Sequence, residues 1–506
     1  MSASPSASSH NSHPFTGYPG RPTALSRSRL LLALCISVLL LVPCVWQRHI
    51  EAGDLGSHTY NAWLAQLIEK GEAPGLYTVR QYDNVLVDWA LLHATSAFGF
   101  VAGEKLVVGS LVLLFFWSVF LFIAAVAGRA PWLLSPAIAM LTYGYAFHLG
   151  FLNYLASLGF ACLGLSFVWN GGGRAGHWLA CAASAFFAML AHPIGFLFLL
   201  GMLAYRFSRN SLAPRYRWIV PVLAISAFVL LRIALVHQHV WAVDWSRDEP
   251  AYFYNGVDQL ILYGERYAKL ALAVGLFVLF CAAFGLVADK EERRSSSLLL
   301  AIELYAVAFI AIALLPENLR PFPEGGWIGL LVSRLTIIPA IFALCVLASF
   351  RPRAWQLAGL AAAALAFFSF LYADSRWLNR MEANAQSVLA NVPRGTRIIW
   401  TIVPPSDWRA QFIGHLVERA CIGHCFVYSN YEAPTRQFRI RVSPQGSPLV
   451  TSSNDDAEDM AGGAYDVQDT DPPLKQLYQC DPHDLTKLCM HDLHPGDNTG
   501  ALLLHP

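Results

Sequence analysis

From residue 30 to residue 372 long apolar runs alternate with short polar breaks, and the runs are apolar on every side rather than along one helical stripe. A helix needs roughly 20 apolar residues to cross hydrocarbon. Runs near that length cover 30–46, 106–127, 132–147, 150–169, 177–190, 194–205, 218–236, 270–288, 298–315, 328–350 and 355–372. They predict an α-helical polytopic membrane protein with about 11 transmembrane helices.

Composition agrees: 56% of the 506 residues are hydrophobic and 14% charged, and the mean hydropathy is +0.44. That excludes a soluble globular chain of ordinary make-up. The net charge of +1 gives no footing for nucleic-acid binding. Residues 1–29 are rich in Ser, Pro and Gly, hold Arg21, Arg27 and Arg29, and read as a disordered cytoplasmic tail. No A-x-A-like site follows the run 30–46, so it reads as an uncleaved first span.

Pro193 interrupts the stretch 177–205, because proline lacks a backbone donor and disfavours helix at the residue before it. Charge decides between one kinked pass and two. With two passes, Arg129, Arg174, Arg206, Arg209, Arg215, Arg217, Lys290, Arg293, Arg294, Arg351 and Arg353 all fall on one side, the cytoplasmic one. The loops 47–104, 237–269 and 316–327 and a domain 373–506 then lie outside the cytoplasm, in a protein integral to the plasma (bacterial inner) membrane of the cell envelope.

The loop 47–104 is too long for a mere connector. It opens with Glu51 and the run Gly-Asp54-Leu-Gly-Ser-His58, after which Tyr60, Trp63, Leu64, Leu67 and Ile68 recur at helical spacing. This predicts an amphipathic helix lying in the membrane interface. A second stripe, Val85, Leu86, Trp89 and Leu92, follows Tyr82-Asp83-Asn84.

The GDLGSH run after the first span, the two amphipathic stripes, the lead Gly103-Glu104-Lys105, and the echoes at 148–154 and His192-Pro193 resemble the GT-C superfamily of membrane glycosyltransferases. The resemblance is to the bacterial, polyprenyl-phosphate-sugar-dependent type and covers roughly 30–372. It implies a sugar on a polyprenyl-phosphate donor, whose leaving group needs no proton, so one carboxylate suffices as base on the acceptor hydroxyl of a glycan, lipid or protein. Hydrolases, by contrast, use an acid and a base across the bond. Many members carry an Asp-Glu pair where this chain has Asp54-Leu55, so a divalent metal stays an open alternative.

On this reading Asp54 is the candidate general base and His58 orients it or the acceptor, with Glu51, Asp83 and Asp88 as substitutes. The plainer roles are a helix N-terminal aspartate, a loop histidine and a polar helix face. Arg232, Arg320 and Arg334 are cations near the outer span ends that suit a lipid phosphate, although snorkelling also explains such arginines. Asn153 and His192 stand at outer span ends and complete the candidate substrate-binding set.

Beyond residue 373 the chain turns polar and predicts a small extracytoplasmic α/β domain: a helix 376–389, strands near 397–403, 425–428 and 438–442, and a mobile acidic loop 451–471. Cys421, Cys425, Cys480 and Cys489 form an even set, expected as disulfides. Zinc with His415 or His424 is the rival. Asn430-Tyr431-Glu432 and Arg436-Gln-Phe-Arg439 offer acceptor contacts, or only turn and strand chemistry. A transporter or flippase of a lipid-linked sugar and a non-enzymatic assembly protein remain alternatives. The first usually shows internal repeats, and none is evident here.

Overall fold

Each apolar run is rich in Leu, Ala and Phe, which suit a helix in hydrocarbon, and the computed structural model is helical over most of every one. It describes residues 27–171, 173–238, 240–246, 254–320 and 327–502. Of the expected tail 1–29, residues 1–26 lie outside that range and Arg27–Arg29 already belong to the first helix.

Among the described residues seven helices are long and apolar enough to cross a membrane: Arg27–Val45, Phe100–Ala127, Pro214–His237, Glu265–Ala288, Ser296–Leu314, Leu331–Ala348 and Ala354–Leu389. Leu152–Val168 and Ala175–Ala191 are shorter apolar helices. The expected span 132–147 is broken into Trp132–Leu134, Ser135–Thr142 and Tyr145–His148. The break comes at Gly144, whose ψ of −170° is extended rather than helical.

His192, also extended, separates Ala175–Ala191 from Pro193–Ser211, and both helices pack against Leu152–Val168. The polar breaks then gather at two ends. At one, Arg351 pairs with Glu291 and Glu292, Arg353 with Asp289, and Arg129 caps the carbonyls of Ala348 and Ser349. At the other, Val85 N donates to Leu190 O, Ala242–Asp244 pairs with Asn318–Arg320, and Arg409 N donates to Leu262 O. This is the partition that a turn at His192 requires. Because short basic loops face the cytoplasm, a reporter active only outside it is expected to work when fused after Asn391 and to fail after Arg215. The reverse would reject this orientation.

The last apolar helix does not stop at the end of the apolar run. Ala354–Leu389 is one 36-residue helix, whose final turns bury Leu378, Met381, Ala385 and Leu389 in the core shared with the tail. The tail holds a four-stranded sheet in the order Phe426–Val427, Arg397–Thr401, Leu474–Gln479, Leu488–Leu493. The first two junctions are parallel and the last is antiparallel. The expected strand 438–442 forms as Ile440–Val442, but it pairs with Leu76–Thr78 and so ties the first loop to the tail. The tail cysteines join as Cys421–Cys425 and Cys480–Cys489.

Two expectations change. The acidic stretch 451–471 contains the helix Asn454–Gly462: Ser453 Oγ accepts from Asp456 N at 3.1 Å, Asp455 and Asp456 sit in the first turn where the helix dipole favours them, and Met460 is buried in a second core with Ile399 and Leu474. The first stripe of the loop forms the helix Leu55–Lys70, but Tyr60 and Leu64 are fully buried and Trp63 stacks on Phe426. Its apolar face therefore meets the tail rather than lipid, and its burial is within protein. The second stripe, on Leu86–Phe98, leaves Trp89 and Phe98 exposed.

Candidate functional site

The GDLGSH run is built for close approach. Gly53 has φ +41°, and a Cβ there would lie 2.5 Å from Leu149 O. A Cβ on Gly56 would lie 2.2 Å from His415 O. Glycine at both positions lets the chain press between the turn after His148 and the tail helix His415–Cys421. Between them Asp54 takes the N-cap position of Leu55–Lys70, with its N–H donating to Leu149 O at 3.2 Å. Its carboxylate caps no backbone group, and Oδ1 lies 3.4 Å from His415 Nε2.

His415 bridges two acids, because its Nδ1 is 3.2 Å from Glu418 Oε1. Burial alone would lower the His415 pKa, but Glu418 and then Asp54 outweigh it and raise it above its ordinary value. The ring stands between two acidic side chains that favour its protonated form. Asp54 itself is raised, chiefly by burial, with His415 and His58 opposing. It is a more basic carboxylate than one in water.

One helical turn on, His58 Nδ1 stands 2.9 Å from Asp88 Oδ1 and 3.5 Å from Glu432 Oε1. Burial again opposes the charge, yet Asp88 and Glu432 push the His58 pKa up to about 10. Glu432, raised by burial against the attraction of His58, also accepts from Ser57 Oγ at 3.2 Å. A group raised from 6.5 to about 10 on folding adds stability that is complete below 6.5 and is lost as pH climbs to 10. The melting-temperature gap between the parent and His58→Gln is therefore expected to be widest near pH 6 and to close by about pH 10. A gap that is flat over this range would mean that His58 is neutral.

A cleft of about 360 Å³, its open mouth included, runs beside this pair between the loop and the tail, lined by His58, Asn61, Thr78, Asp88, Glu432 and Arg439. On the other side of Gly53 a second hollow of about 330 Å³ is lined by Glu51, His148, Tyr263 and Phe412. Among the described residues no three His, Cys, Asp or Glu side chains are arranged to hold a metal ion.

No family model and no curated protein matches the chain. Among solved structures it is similar to ArnT from Cupriavidus metallidurans, a GT-C glycosyltransferase. The crystal structure of ArnT bound to undecaprenyl phosphate is 12% identical, over 90% of this chain and 93% of that one, with a TM-score of 0.44. The apo structure is 12% identical over 89% and 93%, with a TM-score of 0.48. Likeness at this distance assigns no activity, substrate or residue.

The other candidate residues divide between this cluster and its surroundings. Asn153 positions Asp88: Oδ1 accepts from Val87 N at 2.9 Å and Nδ2 donates to Asp88 Oδ2 at 3.4 Å. His192 caps Pro193–Ser211 by accepting from Ile194 N at 3.2 Å, and burial with the nearby Arg334 lowers its pKa to about 3. Arg334 lies over the Phe151 ring at 3.9 Å, donates to Leu330 O at 3.3 Å, and is close enough to Asp54 to influence its charge. Among the described residues no carboxylate comes within ion-pair distance of it.

Glu51 is drawn away into a buried knot with Arg419, 2.9 Å distant. Asp83 stays in the turn before Leu86–Phe98. Arg232 faces Trp245 at 4.3 Å and Arg320 pairs with Ala242 on the short ribbon, so both sit together but apart from Asp54. His415, Glu418 and Glu432 were not in the candidate set. From sequence, His415 offers only a zinc ligand, and Glu432 an acceptor contact or a turn residue.

Proposed function

We propose that this chain is an integral membrane glycosyltransferase that moves a sugar from a polyprenyl-phosphate donor to an acceptor hydroxyl outside the cytoplasm. The observation that carries the reading is Asp54: a half-buried carboxylate of raised basicity where the apolar bundle meets the tail, with the cation Arg334 in electrostatic reach. The acceptor oxygen attacks the anomeric carbon, its proton passes to Asp54, and the bond from that carbon to the phosphate oxygen breaks. The leaving polyprenyl phosphate needs no acid. Arg334, with no carboxylate beside it among the described residues, is suited to meet that phosphate. His415, itself held by Glu418, stands against Asp54 and opposes the rise in its pKa. His58, with Asp88 and Glu432, walls the approach of the acceptor.

The direct test is transfer of radiolabelled sugar from a polyprenyl-phosphate donor by membranes with and without the protein. Label entering an acceptor fraction only when the protein is present supports the reading. Equal label in both membranes, with the protein inserted at normal level, would reject it.

A further inference from the structure

The ribbon that joins the first loop to the tail is unusually rich in arginine. Leu76–Thr78 pairs antiparallel with Ile440–Val442, so Tyr77 stands directly across from Arg441. The pairing runs on past Thr78: Val79 N donates to Arg439 O at 2.8 Å and Gln81 Nε2 to Gln437 O at 3.0 Å. Strand alternation therefore sets Arg439 and Arg441 on one face of the ribbon and Arg80 on the other, with Arg436 near enough to Arg441 to influence its charge. Among the described residues none of Arg80, Arg439 and Arg441 has a carboxylate within ion-pair distance. Arg439 and Arg441, two places apart on one face, are like charges that an anion between them would reconcile.

Three further observations mark the ribbon as more than a solvated face. Arg436 closes the short helix Glu432–Thr435 in the left-handed region at φ +58°, a conformation that glycine adopts freely and a residue with a Cβ adopts only under strain. Arg441 Nε is buried with no hydrogen-bond partner. Burial lowers the Arg441 pKa and Arg436 adds to the shift, with Tyr77 opposing. Arg439, finally, lines the same cleft as His58, Asp88 and Glu432.

We propose that this arginine ribbon is the docking site for a phosphate group on the acceptor, holding it at the mouth of the cleft so that a hydroxyl further along the same molecule reaches Asp54. The guanidinium fork matches phosphate oxygens in pairs, which lysine does not. The ribbon belongs half to the loop that carries Asp54 and half to the tail, so a bound phosphate also clamps the two together. The proposal rests on the glycosyltransferase reading for the word acceptor, but the phosphate site itself stands independently.

The test reads the arginines directly. Full-length protein in zwitterionic detergent is treated with hydroxyphenylglyoxal, and modification of each arginine is followed by peptide mass spectrometry. Sodium pyrophosphate or dihexanoyl phosphatidate at a few millimolar is expected to slow modification of Arg439 and Arg441 at least about fivefold. Dihexanoyl phosphatidylcholine and sodium chloride of equal ionic strength should not slow it, and the exposed Arg394 should react at an unchanged rate. Protection by phosphatidate alone would assign the site to a lipid-borne phosphate, and equal protection by pyrophosphate to the phosphoryl group in itself. Arg441→Gln should abolish protection of Arg439. Asp54→Asn should keep it, which separates this site from the transfer chemistry. Absence of protection, or equal protection of Arg394, would overturn the proposal.

Discussion

Replacing Asp54 by Asn is expected to leave a protein that inserts and folds normally but transfers sugar at least about 100-fold more slowly, the lower end of what a general base contributes. Asparagine keeps the size and the N-cap geometry, and the carboxylate makes no capping bond whose loss would disturb the helix. What disappears is the basic oxygen beside His415 Nε2. His415→Gln is expected to slow transfer less and to shift its pH profile, because His415 acts through Asp54. Asp88→Asn should perturb the His58 pair and leave a larger share of the rate. Transfer by Asp54→Asn within about threefold of the parent, at equal protein level, would remove Asp54 from the role of base.

The second large effect concerns the tail rather than the reaction. Arg419 leaves the tail helix His415–Cys421 and ends between three buried carboxylates: Glu382 at 2.6 Å, Glu51 at 2.9 Å and Glu104 at 3.2 Å. It also donates to Ile50 O at 2.8 Å. Burial, with Glu382 adding to it, pushes the Glu51 pKa well above its ordinary range against the pull of Arg419. Arg419 is the guanidinium that all three carboxylates share.

Arg419→Met removes the cation and strands them. Breaking a buried pair in this way costs about 3–5 kcal/mol. Denaturant unfolding in detergent should show that loss, together with faster proteolysis of the tail. Adding Glu382→Gln should return part of it, because one stranded charge is then gone. Stability of Arg419→Met within about 1 kcal/mol of the parent would mean that the knot is not held by charge.

The elements that proved legible in the sequence are those whose cause is local. Apolar length marks a span, the proline at 193 marks a turn, and an even set of cysteines in a polar tail marks disulfides. Periodicity located the helix Leu55–Lys70, but not what its stripe faces: Tyr60 and Leu64 carry the same pattern whether they meet lipid or protein. The helix Asn454–Gly462 was hidden by its acidity, which reads as a solvated loop until the Ser453 cap and the burial of Met460 are seen. Within the site, Asp54 and His58 stood out because they share one motif. Their partners did not, because the tail residues that complete the cluster have no fixed spacing from them. The packing of Gly56 against the tail helix and the pairing of Leu76–Thr78 with Ile440–Val442 bring the halves together.

That separation carries a consequence for biosynthesis. Ser57 and Glu432, which hydrogen-bond in the finished site, are 375 residues apart. At roughly 5–20 residues per second, the first loop emerges about 20–75 seconds before the segment that supplies His415 and Glu432. Throughout that interval the nascent chain has no paired Asp54, no walled cleft and no arginine ribbon. On the proposed reading, a chain truncated before residue 415 lacks these partners and is expected to transfer no sugar.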